Sequence, residues 1–164
     1  MGNCTYCVGQ VHFQVPIKGC GIPIVFQGTS LLTLDAKGRL LMPARHKEAL
    51  VRACGAEMTI TRHPDGCLVL YPRPVWEEKC KALCQLPNTA RSFVRFVLGS
   101  AVDVACDSSG RLLIPVELRE LCALTKEVTL VGMGEQFELW DREKWLAMTQ
   151  EALAVDMNEV PFTF

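Results

Sequence analysis

The chain has 164 residues, of which 49% are apolar and 21% charged, and a formal net charge of −1. This is an ordinary globular mix, large enough for one good core or two small ones. It excludes a diffuse nucleic-acid coat, which needs a basic chain, and no run of about 18 apolar residues offers a membrane span.

Residues 1–24 mix three cysteines, four glycines and two prolines with scattered apolar residues, and show no strand or helix period. Cys4-x-x-Cys7 has the spacing of half a zinc site, but Cys20 and His12 do not make the other half, so no metal site and no cofactor is expected. The segment lacks the basic and apolar regions of a secretory signal, and Tyr6 stands where a Met-Gly lipidation motif wants Ser or Thr. The nine cysteines are odd in number, and a reducing cytoplasm is the expected compartment. Cys54, Cys67, Cys80, Cys84, Cys106 and Cys122 then read as mostly core or half-buried thiols.

From Thr29 to Leu34 the pattern predicts a strand, then a turn at Asp35–Gly38 and a second strand over Arg39–Met42. Gly38 supplies the positive φ of a hairpin turn, and Asp35 bonds back to the turn backbone. Pro43 suits a helix start, predicting a helix over Ala44–Ala53 that ends at Gly55. Strands over Glu57–Arg62 and Cys67–Tyr71 flank Pro64-Asp65-Gly66. Pro74 opens a helix to about Leu86, with Trp76, Cys80, Leu83 and Cys84 at helical spacing. A further helix over Thr89–Leu98 has Asn88 as N-cap and Gly99 as stop.

The order then repeats. Asp35-Ala36-Lys37-Gly38-Arg39-Leu40-Leu41-Met42-Pro43 returns as Asp107-Ser108-Ser109-Gly110-Arg111-Leu112-Leu113-Ile114-Pro115. Downstream, Met58-Thr59-Ile60 matches Val128-Thr129-Leu130, Leu68–Tyr71 matches Phe137–Trp140, and Trp76 matches Trp145, as the offset drifts from 72 to 70 to 69. Predicted elements of the second copy include a short helix Val116–Leu121, strands Val128–Val131 and Gln136–Trp140, and a helix Arg142–Ala154. A period of about 70 residues is too long for a solenoid. It reads as a duplicated half-domain of β-rich α+β class, the halves sharing one core because each alone buries too little.

The repeated D-x-x-G-R has two readings. Asp35, Gly38, Asp107 and Gly110 build turns, and Arg39 and Arg111 are then solvated strand residues kept by common descent. Alternatively, the guanidinium beside each turn, with Lys37 on the first tip, reaches phosphates or the O6 and N7 acceptors of guanine. Arg45 and Lys47 belong to the same basic stretch: Asp35 to Lys47 carries a net +3, whereas Asp107 to Arg119 nets zero, which makes the first copy the electropositive one. His46 reads as a surface histidine, His63 as isolated, and Trp76 and Trp145 as helix anchors. No nucleophile elbow, Walker loop or H-E-x-x-H is present, so the chain reads as a non-enzyme.

From Phe26 to about Leu153 the sequence resembles the MraZ family of bacterial transcriptional regulators, on Phe26-Gln27-Gly28-Thr29, Leu34–Leu40, Leu70-Tyr71-Pro72, Leu98-Gly99, Asp107–Pro115, and Leu124-Thr125-Lys126-Glu127-Val128 through Phe137-Glu138-Leu139-Trp140. The second copy, with Val116-Glu117-Leu118-Arg119, also resembles the wider SpoVT and AbrB class. The resemblance implies a swapped-hairpin barrel of two AbrB-like repeats with flanking helices, self-assembly into rings, and binding of double-stranded DNA at promoter direct repeats. It also implies repression of the division and cell-wall gene cluster, including the chain's own promoter, by a protein of the cytoplasm and nucleoid. The family signature falls on Asp35, Lys37, Gly38 and Arg39, and on Asp107, Gly110 and Arg111; Ser109 replaces Lys37 in the second copy, which weakens that turn. Expected units are an extension over 1–24, repeats over 25–86 and 100–154, a connecting helix over 87–99 and a tail over 155–164. Because family members begin near the Val25-Phe26-Gln27-Gly28 motif, Val25 reads as the native start, from a GTG codon, with residues 1–24 untranslated. An antitoxin-like interaction module is the alternative function.

Overall fold

The computed structural model describes residues 25–154; the 1–24 extension, with its Cys4-x-x-Cys7 pair, and the 155–164 tail lie outside the described residues. In chain order the elements are β1 (Phe26–Thr33), β2 (Arg39–Leu41), α1 (Ala44–Cys54), β3 (Glu57–Arg62), β4 (Leu68–Pro72), α2 (Arg73–Cys84) and α3 (Arg91–Gly99). The second copy gives β5 (Val102–Ala105), β6 (Arg111–Leu113), α4 (Val116–Leu121), β7 (Glu127–Gly134), β8 (Phe137–Asp141) and α5 (Arg142–Leu153). Pro43 and Pro115 precede α1 and α4, and Gly55 ends α1 at φ 62° with its amide donating to the Val51 carbonyl. Asn88 does not cap α3. It starts a 3-10 turn, Asn88–Ala90, that leads into the helix with no side-chain cap bond.

Strand pairing departs from the expected hairpins. The Asp35–Gly38 turn forms, but β1 and β2 separate after it. β1 pairs antiparallel with β7, and β2 pairs with β6; likewise β5 pairs with β3 rather than β6. The result is a six-stranded antiparallel sheet in the order β1-β7-β8-β4-β3-β5, and a two-stranded ribbon of β2 and β6. Among the described residues these ladders do not close into a barrel, since β1 and β5 remain edges. Burial explains the exchange: Leu40 and Leu112 are fully buried and face each other across the ribbon, and a local hairpin would forfeit that joint burial.

The register carries a pseudo-twofold axis. Leu40 pairs with Leu112, its own counterpart, and Val69 pairs with Glu138, its own counterpart; Leu32–Val128 is mirrored by Met58–Val104. One core straddles that axis. Leu40, Leu50, Met58, Ile60, Leu68 and Leu70 from the first copy interlock with Leu112, Leu118, Val128, Leu130, Phe137 and Leu139 from the second. At roughly 1.5–3 kcal/mol for each fully buried aliphatic or aromatic side chain, this shared interior is the main stabilising term. The ribbon, α1 and α4 lie on the core face of the sheet. On the other face, α2 covers β3 and β4 and α5 covers β7 and β8, with Val131, Trp140, Trp145 and Met148 packed there.

Candidate nucleic-acid interface

The two turns are built alike. Asp35 Oδ1 accepts from the amides of Lys37 and Arg39, both at 2.9 Å, and Asp107 Oδ1 accepts from those of Ser109 and Arg111, also at 2.9 Å. Gly38 and Gly110 stand at φ 76° and 80°, the left-handed region that lets an amide return to the aspartate carbonyl at 2.8 Å. Amide donation from Arg39 and from Arg111 is the leading cause that holds Asp35 and Asp107 below the usual carboxylate range. Both turns therefore keep their acceptors ionised and their backbones fixed.

The pairing of β2 with β6 sets the two turns at opposite ends of one ribbon. Arg39 lies opposite Leu113, and Arg111 opposite Leu41. With Leu40 and Leu112 turned inward, the alternation of a strand sends Arg39, Leu41, Arg111 and Leu113 outward. Leu41 and Leu113 are 57% and 51% exposed, so the outer face is a small apolar strip between two guanidinium groups. Arg39 Nε donates to Asp35 Oδ2 at 2.7 Å, which orients it; Arg111 makes no such bond with Asp107.

Each turn is braced by the other repeat. The Gly38 carbonyl accepts from the Ile114 amide at 3.0 Å, and the Gly110 carbonyl from the Met42 amide at 2.9 Å. Arg119, on α4, lies over Gly38, where an added Cβ would meet its Cζ at 2.5 Å. Lys47, on α1, lies over Gly110 and donates to the Ser108 carbonyl at 3.2 Å. This redistributes the charge read along the sequence. In space the first turn gathers Lys37, Arg39 and Arg119 against Asp35, and the second gathers Arg111 and Lys47 against Asp107. Both ends are cationic, and the zero balance of the second sequence block does not describe its surroundings.

Arg45 sits apart from the turns. Its Nη2 donates to the Thr29 carbonyl at 3.1 Å and to Ser30 Oγ at 2.6 Å, tying α1 to β1, while its Nε donates to His46 Nε2 at 3.1 Å. His46 is not a surface residue. It is 6% exposed, edge-on to Phe26 and Phe137 at 5.9 and 4.9 Å, and burial holds its pKa below the ordinary value. Arg119 was not among the residues expected here, although its place at the offset of Lys47 is a signal that could have found it. His63 is partly exposed beside Asp65. Cys67 and Cys122 are buried, Cys54, Cys80 and Cys106 are half-buried, Cys84 is exposed, and all six are free thiols. Among the described residues no His, Cys, Asp or Glu side chains gather as a metal-ligand cluster, and no helix is long and apolar enough to cross a membrane.

A family described as "MraZ protein, putative antitoxin-like" matches this chain twice, over residues 25–95 and 97–161. The chain belongs to the MraZ family. It is 50% identical over 136 residues to the "Transcriptional regulator MraZ" of Bordetella pertussis, covering 83% of this chain and 96% of that one. It is 49% identical over 142 residues to the protein of that name from Burkholderia multivorans, covering 85% and 100%. The counterpart from Acidovorax sp. (strain JS42) is 47% identical over 136 residues, covering 83% and 96%. The MraZ match counts the repeat twice, as the register of the strands does.

Proposed function

We infer that this chain is a sequence-specific DNA-binding transcriptional regulator that meets the duplex with the outer face of the β2–β6 ribbon and its two D-x-x-G-R turns. The observation that carries the reading is the rigid, doubled presentation of Arg39 and Arg111 on one two-stranded ribbon, flanked by Lys37, Lys47 and Arg119. A β-ribbon is one of the elements that a major groove about 12 Å wide admits, and arginine is the residue best suited to guanine O6 and N7. Asp35, Gly38, Asp107 and Gly110 hold the turns; Lys37 and Arg39 make the leading contacts, Arg111 and Lys47 add to them, and Arg45, tied to β1 away from the turns, adds charge only. The names of the relatives support the regulatory class.

In its finer form the reading is a repressor of the division and cell-wall gene cluster, including its own promoter, that acts in the cytoplasm on the nucleoid. Weak net charge suits multivalent recognition, in which ring-shaped homo-oligomers place several ribbons on promoter direct repeats and gain affinity through effective concentration. The exchange of strands between repeats supports the swapped-hairpin class of fold. The antitoxin-like wording of the family description favours one alternative, a protein-interaction module.

A mobility-shift titration with the chain's own promoter and no partner protein separates the two. The regulator binds alone, and its affinity falls with salt in proportion to the phosphates engaged. Arg39→Ala is expected to weaken binding by roughly 5- to 150-fold, the loss of about 1–3 kcal/mol per bidentate contact, and Arg111→Ala by less, since Lys37 stands beside Arg39 only. Equal losses would defeat the ranking, and no binding at low ionic strength would defeat the reading itself.

A further inference from the structure

A cavity of about 390 Å³ opens between α3 and α4, lined also by Arg62 at the end of β3 and Val102 at the start of β5. Its size is near the lower end of the roughly 300–1,000 Å³ of small-molecule sites. One wall is held in place by hydrogen bonds. Thr61 Oγ1 donates to the Val97 carbonyl at 2.6 Å, the Arg62 amide donates to Ser100 Oγ at 3.3 Å, and that hydroxyl donates to the Phe96 carbonyl at 2.8 Å. The C-terminal end of α3 is thereby pinned to β3. Most of the lining is apolar, from Phe96, Val102, Leu118 and Leu121, and Val102 and Leu121 are 38% and 55% exposed.

Two guanidinium groups, those of Arg62 and Arg95, enter this apolar setting. Among the described residues neither takes part in an ion pair. Arg62 is half-buried, its Cζ 4.5 Å from the centre of the Phe96 ring. A guanidinium keeps its charge in such a place, and its desolvation is a cost unless an anion answers it. The repeated fold does not require it, since Gly132 takes the place of Arg62 at the offset of 70 that relates β3 to β7. Glu117 is the one acidic side chain in the lining, so two arginines against one glutamate leave an excess of one positive charge. We propose that the α3–α4 cavity binds a small amphipathic carboxylic acid, its carboxylate held by Arg62 and Arg95 and its apolar body against Phe96, Val102 and Leu121. A monocarboxylate matches the single excess charge, and a planar guanidinium takes a carboxylate through two parallel hydrogen bonds. A purely apolar occupant would leave both guanidinium groups unanswered. None of these residues is assigned to the DNA contact, so the site does not depend on that reading.

Equilibrium dialysis of the full chain against 2-naphthoate and its neutral twin, 2-naphthamide, tests the site. One saturable site per chain is expected, with the acid bound about tenfold or more tighter than the amide, because a charge-assisted hydrogen bond outweighs a neutral one. Arg62→Gln should remove most of that preference. Arg95→Gln should do the same from an exposed position on α3, and it decides the matter if the half-buried substitution unfolds the chain. Leu121→Trp, which crowds the cavity, should abolish binding of both probes. Equal affinity for acid and amide, an undiminished preference in Arg95→Gln, or no saturable binding would overturn the proposal. So would a lower sedimentation mass for Leu121→Glu than for the parent chain, which would make this face an interface between copies.

Discussion

An imidazole wedged between Phe26 and Phe137, and accepting from Arg45 Nε, is confined to its neutral form with the proton on Nδ1. Burial, with Arg45 adding to it, lowers the pKa of His46 below that of the unfolded chain, about 6.5. The unfolded state therefore binds the extra proton, and stability present above about pH 6.5 is lost as pH falls through the folded value. His46→Leu should flatten the pH dependence of the thermal midpoint below about pH 6.5, leaving the carboxylate-driven loss at acid pH. An unchanged slope in a pH series of melting curves would contradict the assignment. The sequence hid this residue because a lone histidine next to Arg45 and Lys47 reads as part of a basic surface. Only the packing of α1 on the core face, with Leu50 one turn further on, turns it inward. The turn residues were legible for the opposite reason: Asp and Gly at fixed spacing specify their backbone locally, whatever the rest of the chain does.

Element boundaries follow from local signals, and α4 spans the predicted Val116–Leu121 without change. Partner strands do not follow from them. Leu40-Leu41 and Leu112-Leu113 are too short to announce with whom they pair, and the choice depends on a core that neither repeat builds alone. At this scale Asp141 stands out, because its counterpart in the first copy is Pro72. Asp141 is 4% exposed and caps α5 by accepting from the Glu143 amide at 3.0 Å, and it accepts from the Thr125 amide and hydroxyl at 3.0 and 2.7 Å. Burial alone would raise its pKa, but these bonds and the Lys144 amide outweigh it and hold the carboxylate ionised. Asp141→Ala removes a cap and leaves buried donors unpaired. A loss of roughly 2–4 kcal/mol is expected, read as a lower urea midpoint, and a change under about 0.5 kcal/mol would show that α5 does not need the cap.

Across the whole molecule the two copies are not separable units. β1 belongs to the first copy and completes the sheet of the second, while β5 does the reverse. Heat or urea should therefore melt both repeats in one transition, with the fluorescence of Trp76 and of Trp140 and Trp145 changing together. A fragment of residues 25–99 should lack dispersed amide resonances, since its share of the core would face water. Two resolved transitions, or a folded fragment, would show that each repeat carries its own core. The duplication itself was plain in the sequence, whereas the trading of strands and of bracing cations between copies was not, because both are settled by contacts between residues far apart along the chain, from Ile60–Val102 to Phe26–Gly134.

The near-equivalence of the two ribbon ends has a directional consequence. A faultless dyad would let a subunit sit either way round on a duplex, and such a reader suits palindromes. Here Ser109 faces solvent where its mate is Lys37, and Lys47 stands in for Arg119. On the proposed DNA reading, one end therefore grips harder than the other. On that reading the ribbon has a front and a back, and head-to-tail sites are the arrangement that such polarity would favour.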